Sequence, residues 1–158
     1  MKKRIIIFGS TGSIGKSLIK ILVKDKKFFE IVLLTVNKNI KELSKQVIKF
    51  NVKNIIITDR KNFLIFQKKF KNKKINIYND FRSLNKILMK KKIDYTMNAI
   101  SGLKGLNPTL KVIKYTKKIA IANKESIICG WPLIKTELKR YKTQFIPIDS
   151  EHFSIWSL

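Results

Sequence analysis

A single cysteine, Cys129, stands in the whole chain. One thiol cannot build an internal disulfide framework, and such sparse use of cysteine fits a reducing compartment, here the cytoplasm. Proline is scarce as well: Pro108, Pro132 and Pro147 are dispersed, and hydrophobic residues make up 44% of the chain, so disorder is not expected. No apolar run approaches the roughly eighteen residues that a membrane-crossing helix needs, so no membrane partner is expected. The opening "MKKRIIIFG" has the basic-then-apolar order of a signal peptide. Its apolar run lasts only four residues before a glycine, too short for a secretory core, and it reads better as a first strand.

Acids are few, 10 against 35 basic residues, for a formal charge of +25. A balance of that sign raises nucleic acid or an anionic membrane as a partner. Arginine, the residue favoured for forked contacts to bases and phosphates, is nearly absent: Arg4, Arg60, Arg82 and Arg140 are the whole supply. The lysines run from Lys2 to Lys142 without a tail and without a basic block longer than "MKKKI". Only "KKFKNKK" interleaves an aromatic with lysines, and it is expected to straddle a helix end and a loop. Isoleucine and asparagine are abundant too, so the charge reads as a drift of the whole coding sequence, and no nucleic-acid partner is expected.

What the chain has in quantity is alternation. "RIIIFG", "FEIVLLTV", "NIIIT", "INIY", "DYTMNAI", "KKIAIA" and "TQFIPI" read as seven buried strands. Between them lie amphipathic segments: "SIGKSLIKILVK", with Ile14, Leu18, Ile21 and Leu22 on one face, then "IKELSKQVIKF", "KNFLIFQKKF", "DFRSLNKILMKK" with Asp80 as its cap, "NPTLKVIKYT", and "PLIKTELKRY", opened by Pro132. There is no linker, repeat or low-complexity segment. Strand and helix alternating along 158 residues predict one α/β domain, a doubly wound, mostly parallel sheet with helices on both faces. Ligands of such sheets sit beyond the carboxyl ends of the strands.

The loop after the first strand, "FGSTGSIGKSL", spaces Gly9, Gly12 and Gly15 three apart. Glycines there permit a tight turn, close approach of backbone to a pyrophosphate, and close helix–strand packing, while the following helix points free N–H groups at the phosphate. This G-x-x-G-x-x-G variant predicts dinucleotide binding; it is too short between its glycines for a triphosphate cradle. The second strand ends in "TVNKN", without the acid that holds the ribose 2′-hydroxyl of NAD. Asn37, Lys38 and Asn39 would instead accept a 2′-phosphate, which predicts NADP. Three further strand-end stretches are polar: "NAISGLKGLNPTL", "IANKES" and "PIDSEH".

Taken together, "GSTGSIG", "NAISGLKGLNPTL", "IAIANKES" and "PIDSEH" resemble, in order and spacing, the N-terminal part of the 1-deoxy-D-xylulose 5-phosphate reductoisomerases, over Arg4 to Leu158. The resemblance implies a Rossmann-like NADPH domain and an NADPH-dependent rearrangement and reduction of that sugar phosphate to 2-C-methyl-D-erythritol 4-phosphate, in the non-mevalonate route to isoprenoids. It implies that Thr11, Gly12, Ser13 and Ile14 hold the pyrophosphate, and that Asn37, Lys38 and Asn39 surround the 2′-phosphate, Asn37 standing where many members have glycine. It further implies NADPH contacts for Asn123 and Glu125, a substrate-contacting, catalytic Lys124, and a substrate-bonding Ser150. Asp149 and Glu151 would hold Mg²⁺ or Mn²⁺. Residues two apart in an extended segment project to one side, so both carboxylates can meet one cation, and oxygen ligands suit these metals. His152 is as well explained by a structural hydrogen bond.

On the same resemblance, residues 1–148 form the NADPH-binding domain and 149–158 begin a catalytic domain whose remainder, with further metal and phosphate ligands and a lid, is not in this sequence. The chain is therefore expected to be a fragment that binds NADPH and turns over little by itself. The family's homodimer would draw much of its contact from outside these residues. Two other classes compete: a basic nucleic-acid-binding protein, and another NADP-dependent oxidoreductase such as a semialdehyde dehydrogenase. The latter needs a cysteine nucleophile with a base, and Cys129 in "IICGW" has none nearby in sequence.

Overall fold

The computed structural model describes residues 1–89 and 92–148. Seven strands, β1 (Lys3–Phe8), β2 (Phe29–Val36), β3 (Asn54–Ile57), β4 (Asn76–Tyr78), β5 (Ile93–Asn98), β6 (Thr116–Ile121) and β7 (Gln144–Pro147), form one sheet in the order β4-β3-β2-β1-β5-β6-β7. Every adjacent pair is parallel. The helices are α1 (Ser13–Lys24), α2 (Ile40–Phe50), α3 (Arg60–Lys69), α4 (Leu84–Leu88), α5 (Leu106–Ile113) and α6 (Lys124–Tyr141). Buried aliphatic runs make these strands: Ile5 to Phe8, Ile31 to Leu34 and Ile55 to Ile57 are almost without solvent contact. A strand covered on both faces needs no polar alternation.

The sheet separates two cores. On one face Ile5, Ile7, Leu34, Ile55 and Ile57 meet Ile19 and Leu22 of α1, Leu43 and Val47 of α2, and Phe63 and Phe66 of α3. On the other, Ile6, Phe8, Leu33, Ile56 and Ile119 meet Leu84 and Leu88 of α4, Val112 of α5, and Ile134 and Leu138 of α6. Between Ile5 and Ile6 the register on β2 slips by one, Ile5 pairing with Ile31 and Ile6 with Leu33. The slip sends both Val32 and Leu33 to the second core while Ile31 and Leu34 stay in the first. Such a bulge tightens the local twist without exposing apolar surface.

Three helices differ from the sequence-based expectation: Asp80 caps a 3-10 turn, Phe81–Ser83, and α4 follows only over Leu84–Leu88, while α1 and α6 differ more. On α1 the buried residues are Gly15, Ile19 and Leu22, whereas Ile14 and Ile21 are 43% and 61% exposed. Two apolar stripes lie side by side on this helix, and the one bearing Gly15 wins because only a residue without a side chain can sit against the turn that ends β1. On α6 the helix begins at Lys124, eight residues before Pro132, which lies inside it. Asn123 provides the cap that starts this helix, its side chain accepting the Ser126 N–H at 2.6 Å. Pro132 has no N–H to offer the Ile128 carbonyl, and both residues lie on the exposed side of the helix. "KKFKNKK" does straddle the end of α3 and the turn after it.

At the amino edge of the sheet, Asp94 accepts hydrogen bonds from Lys117 Nζ at 2.6 Å and from the Arg4 N–H at 2.9 Å. The Lys117 ammonium, then the Arg4 N–H, hold its carboxyl below the usual carboxylate range. A carboxyl depressed in the folded state stabilises the fold above its unfolded value of about 3.9 and stops doing so as pH falls through the folded one. Urea midpoints compared at pH 6 and pH 3 should therefore fall less for Asp94→Asn than for the parent.

Candidate functional site

The strand order reverses beside β1, which lies between β2 and β5, so the chain leaves β1 toward one side of the sheet and returns on the other. At the carboxyl edge this reversal opens a crevice, the place where open α/β sheets bind ligands. A cleft of about 430 Å³ occupies it, lined by Gly9, Thr11 and Gly12, by Thr35, Val36 and Asn37, by Thr58 and Phe81, and by Ala99, Ile100, Ser101 and Lys104.

The three glycines of the first loop answer to three different needs. Gly9 has φ +73°, and a Cβ there would lie 2.6 Å from the Ala99 carbonyl oxygen. Its N–H donates to Thr35 Oγ1 at 3.0 Å, and the next N–H, that of Ser10, donates to the Thr35 carbonyl at 3.0 Å. Gly15 packs so closely on the Gly9 carbonyl and the Ser10 backbone that no side chain fits. Gly12 is different: a Cβ there would meet protein no closer than 3.5 Å. It caps α1 without a side chain, with φ −73° and ψ 176°, so no side chain occupies the N–H groups of the first turn. The result is a bare cradle at a positive helix end, which fits a pyrophosphate.

At the end of β2 the exposed Asn37, Lys38 and Asn39 follow in a row. Asn37 Nδ2 donates to Thr58 Oγ1 at 2.8 Å, joining the ends of β2 and β3, and Asn39 Oδ1 caps α2 by accepting the Glu42 N–H at 3.0 Å. Lys38 projects between two fixed neighbours. The nearby carboxyl of Asp59 is turned to its own helix, accepting from the Asn62 N–H at 2.9 Å and from Asn62 Nδ2 at 2.7 Å, and these bonds hold its pKa down.

The loop after β5 is built by two buried amides. Asn98 Nδ2 donates to the Gly105 carbonyl at 2.9 Å and to Thr109 Oγ1 at 2.6 Å, while its Oδ1 accepts the Ile100 N–H at 3.1 Å. Asn123, 4% exposed, donates through Nδ2 to the carbonyls of Ile100 at 2.5 Å and Gly102 at 2.7 Å. Gly105 leaves room for that amide; a Cβ there would strike it. Phe81 is set by Asp80, whose carboxylate caps the turn Phe81–Ser83 and takes two hydrogen bonds from the Arg82 guanidinium, and by an edge-to-face contact with Phe8 at 5.3 Å. The Arg82 hydrogen bonds hold the Asp80 carboxyl below its usual range.

Of the residues expected from the sequence, Thr11, Gly12 and Asn37 line the cleft, Ser13 and Ile14 open α1 at its rim, and Lys38 and Asn39 stand exposed beside it. Asn123 lies behind the wall with both donors given to the loop. Lys124 and Glu125 are exposed in the first turn of α6. Asp149, Ser150, Glu151 and His152 fall outside the described residues, among which no cluster of metal-ligating side chains occurs. Cys129 is exposed on α6 and does not line the cleft. Sequence reasoning missed Thr35, Thr58 and Phe81, while Ser101 and Lys104 fall within the loop "NAISGLKGLNPTL" that it singled out without naming them. A lone hydroxyl inside "FEIVLLTV" marks Thr35, and the strand-end rule applied to "NIIIT" marks Thr58; nothing local marks Phe81.

Among the described residues no helix is long and apolar enough to cross a membrane. The family model for 1-deoxy-D-xylulose 5-phosphate reductoisomerase matches residues 5–130. The reductoisomerase of Pelagibacter ubique (strain HTCC1062) is 66% identical over 99% of this chain. A solved structure of the Zymomonas mobilis reductoisomerase in complex with NADPH superimposes with a TM-score of 0.87 at 29% identity, over 96% of this chain and 40% of that one. Another reductoisomerase, in complex with NADPH, fosmidomycin and magnesium, superimposes with a TM-score of 0.86 at 28% identity, over 95% of this chain and 37% of that one. The chain spans 40% of the length of the Pelagibacter relative. On the match across residues 5–130, this chain belongs to the 1-deoxy-D-xylulose 5-phosphate reductoisomerase family.

Proposed function

We propose that these residues are the NADPH-binding portion of a reductoisomerase that converts 1-deoxy-D-xylulose 5-phosphate to 2-C-methyl-D-erythritol 4-phosphate in non-mevalonate isoprenoid synthesis. The observation that carries this reading is the pairing of the bare Gly12 cradle with an acid-free β2 end that exposes Lys38. Thr11 to Ile14 would hold the pyrophosphate by backbone N–H groups. Lys38, Asn39 and Asn37 would surround the 2′-phosphate, because an ammonium and amides stabilise a charge that a carboxylate would repel. Asn123 would serve NADPH by holding the loop of Ile100 and Ser101, and Glu125 by contact from the helix start. When bound, NADPH would supply a hydride, and Asp149 and Glu151 would hold a Mg²⁺ or Mn²⁺ ion that would supply Lewis-acid polarisation. Lys124 would put positive charge near an anionic substrate that Ser150 hydrogen-bonds. The domain boundary is proposed at 148/149, the setting as the cytoplasm, and the assembly of the longer protein as a homodimer.

Isothermal titration with NADPH and NADH tests the cofactor. NADPH should bind at least about tenfold more tightly, a difference of about 1.4 kcal/mol. Equal or tighter binding of NADH would overturn the assignment of Lys38.

A further inference from the structure

Behind the two cofactor loops lies one side chain that bonds the first directly and reaches the second through Glu42. Gln46 of α2 is 2% exposed, and its Nε2 donates to the Ser10 carbonyl at 3.0 Å and to Glu42 Oε1 at 3.3 Å. Ser10 belongs to the glycine loop. Glu42 is the third residue of α2, and its N–H donates to Asn39. A hydrogen-bonded path therefore runs from the pyrophosphate loop through Gln46 and Glu42 to the loop of Lys38 and Asn39.

The position of Glu42 makes this path matter. In a capping box an acid at the third helical position turns back and accepts the N–H of the cap residue. Here that would set a carboxylate on Asn39, beside the site proposed for the 2′-phosphate. There it would act as the acid of an NAD site does, favouring a 2′-hydroxyl and repelling a phosphate. Glu42 instead accepts from Gln46, one turn further along α2. Ser10 Oγ and Gln46 Oε1 are buried without partners, so the junction keeps spare hydrogen-bonding capacity under the glycine loop.

We propose that Gln46 is a positioning residue for cofactor specificity: it fixes the Ser10 backbone and draws the Glu42 carboxylate away from the 2′-phosphate site. This rests on the NADPH reading above. The test titrates NADPH and NADH into the parent chain, Gln46→Met, and Gln46→Met with Glu42→Gln, each checked for folding by circular dichroism and thermal melting. Methionine keeps the volume and removes the donor. The NADPH-to-NADH affinity ratio should fall about tenfold in Gln46→Met, since a misplaced charge penalises one ligand selectively. It should return to within about threefold of the parent once Glu42 is neutral. A parent that binds neither cofactor removes the NADPH reading and this inference with it. A parent that prefers NADPH, with both affinities unchanged or lowered by one common factor in Gln46→Met, overturns the inference and leaves the reading standing. If Gln46→Met does not fold, Glu42→Gln alone decides. A ratio within about twofold of the parent supports a carboxylate drawn aside, and a severalfold gain for NADPH overturns it.

Discussion

Alanine at Gly15 should cost about 3 kcal/mol of stability, whereas alanine at Gly12 should cost almost none and still abolish tight NADPH binding. At Gly15 the added methyl meets the Gly9 carbonyl and the Ser10 backbone, neither of which can rotate away, so α1 must move off the sheet. The roughly 1 kcal/mol by which alanine improves a helix interior does not offset that. Against a domain stability of about 5–15 kcal/mol, such a loss lowers the melting temperature by several degrees. Gly12 meets nothing nearer than 3.5 Å and has an ordinary negative φ, so the protein tolerates the methyl. The methyl then occupies the space through which a pyrophosphate would reach the first-turn N–H groups. Urea denaturation and NADPH titration on both variants separate the two effects. Equal stability losses at the two positions would contradict this division of roles.

The class of the fold was legible because buried parallel strands leave a mark that survives any surface composition. Runs such as "RIIIF" and "FEIVLL" lie in the core, whereas no lysine is buried among the described residues, so a lysine-rich composition leaves such runs intact. The glycine loop was legible for a related reason: Gly9 and Gly15 are set by backbone sterics, which no other residue satisfies. Helix faces were less legible. Both stripes of α1 are apolar, and the choice between them depends on Gly15 meeting the end of β1, a contact between elements that helical spacing alone does not encode. Pro132 misled in the opposite direction. A proline usually marks a first turn, but the cap at Asn123 starts the helix upstream, and the helix runs on through the exposed Pro132. Within the candidate site, strand-end residues could be found by rule. Phe81 and Gln46 could not, because each reaches the cleft or its loops from an element whose sequence carries no ligand signal.

Asn123→Ala should be the most costly change near the cleft that leaves every cleft-lining residue in place. Three hydrogen bonds depend on that side chain: the cap on the Ser126 N–H and the two donated to the carbonyls of Ile100 and Gly102. Loss of a helix cap costs about 1 kcal/mol, and each of the two part-buried carbonyls left without a donor about 1–1.5 kcal/mol. The sum is about 3–4 kcal/mol, with the loop bearing Ile100 and Ser101 freed from α6. Asn123→Asp separates the parts. A carboxylate caps a helix as well as an amide does, but it has no N–H for two carbonyls that now face its negative oxygens. Hydrogen exchange should then show Ser126 protected in Asn123→Asp and unprotected in Asn123→Ala. Residues 100–105 should exchange faster in both. NADPH affinity should follow the loop and not the cap, falling in both variants. Retained affinity in Asn123→Asp would mean that NADPH binding does not depend on the brace from α6 to the loop of Ile100 and Ser101.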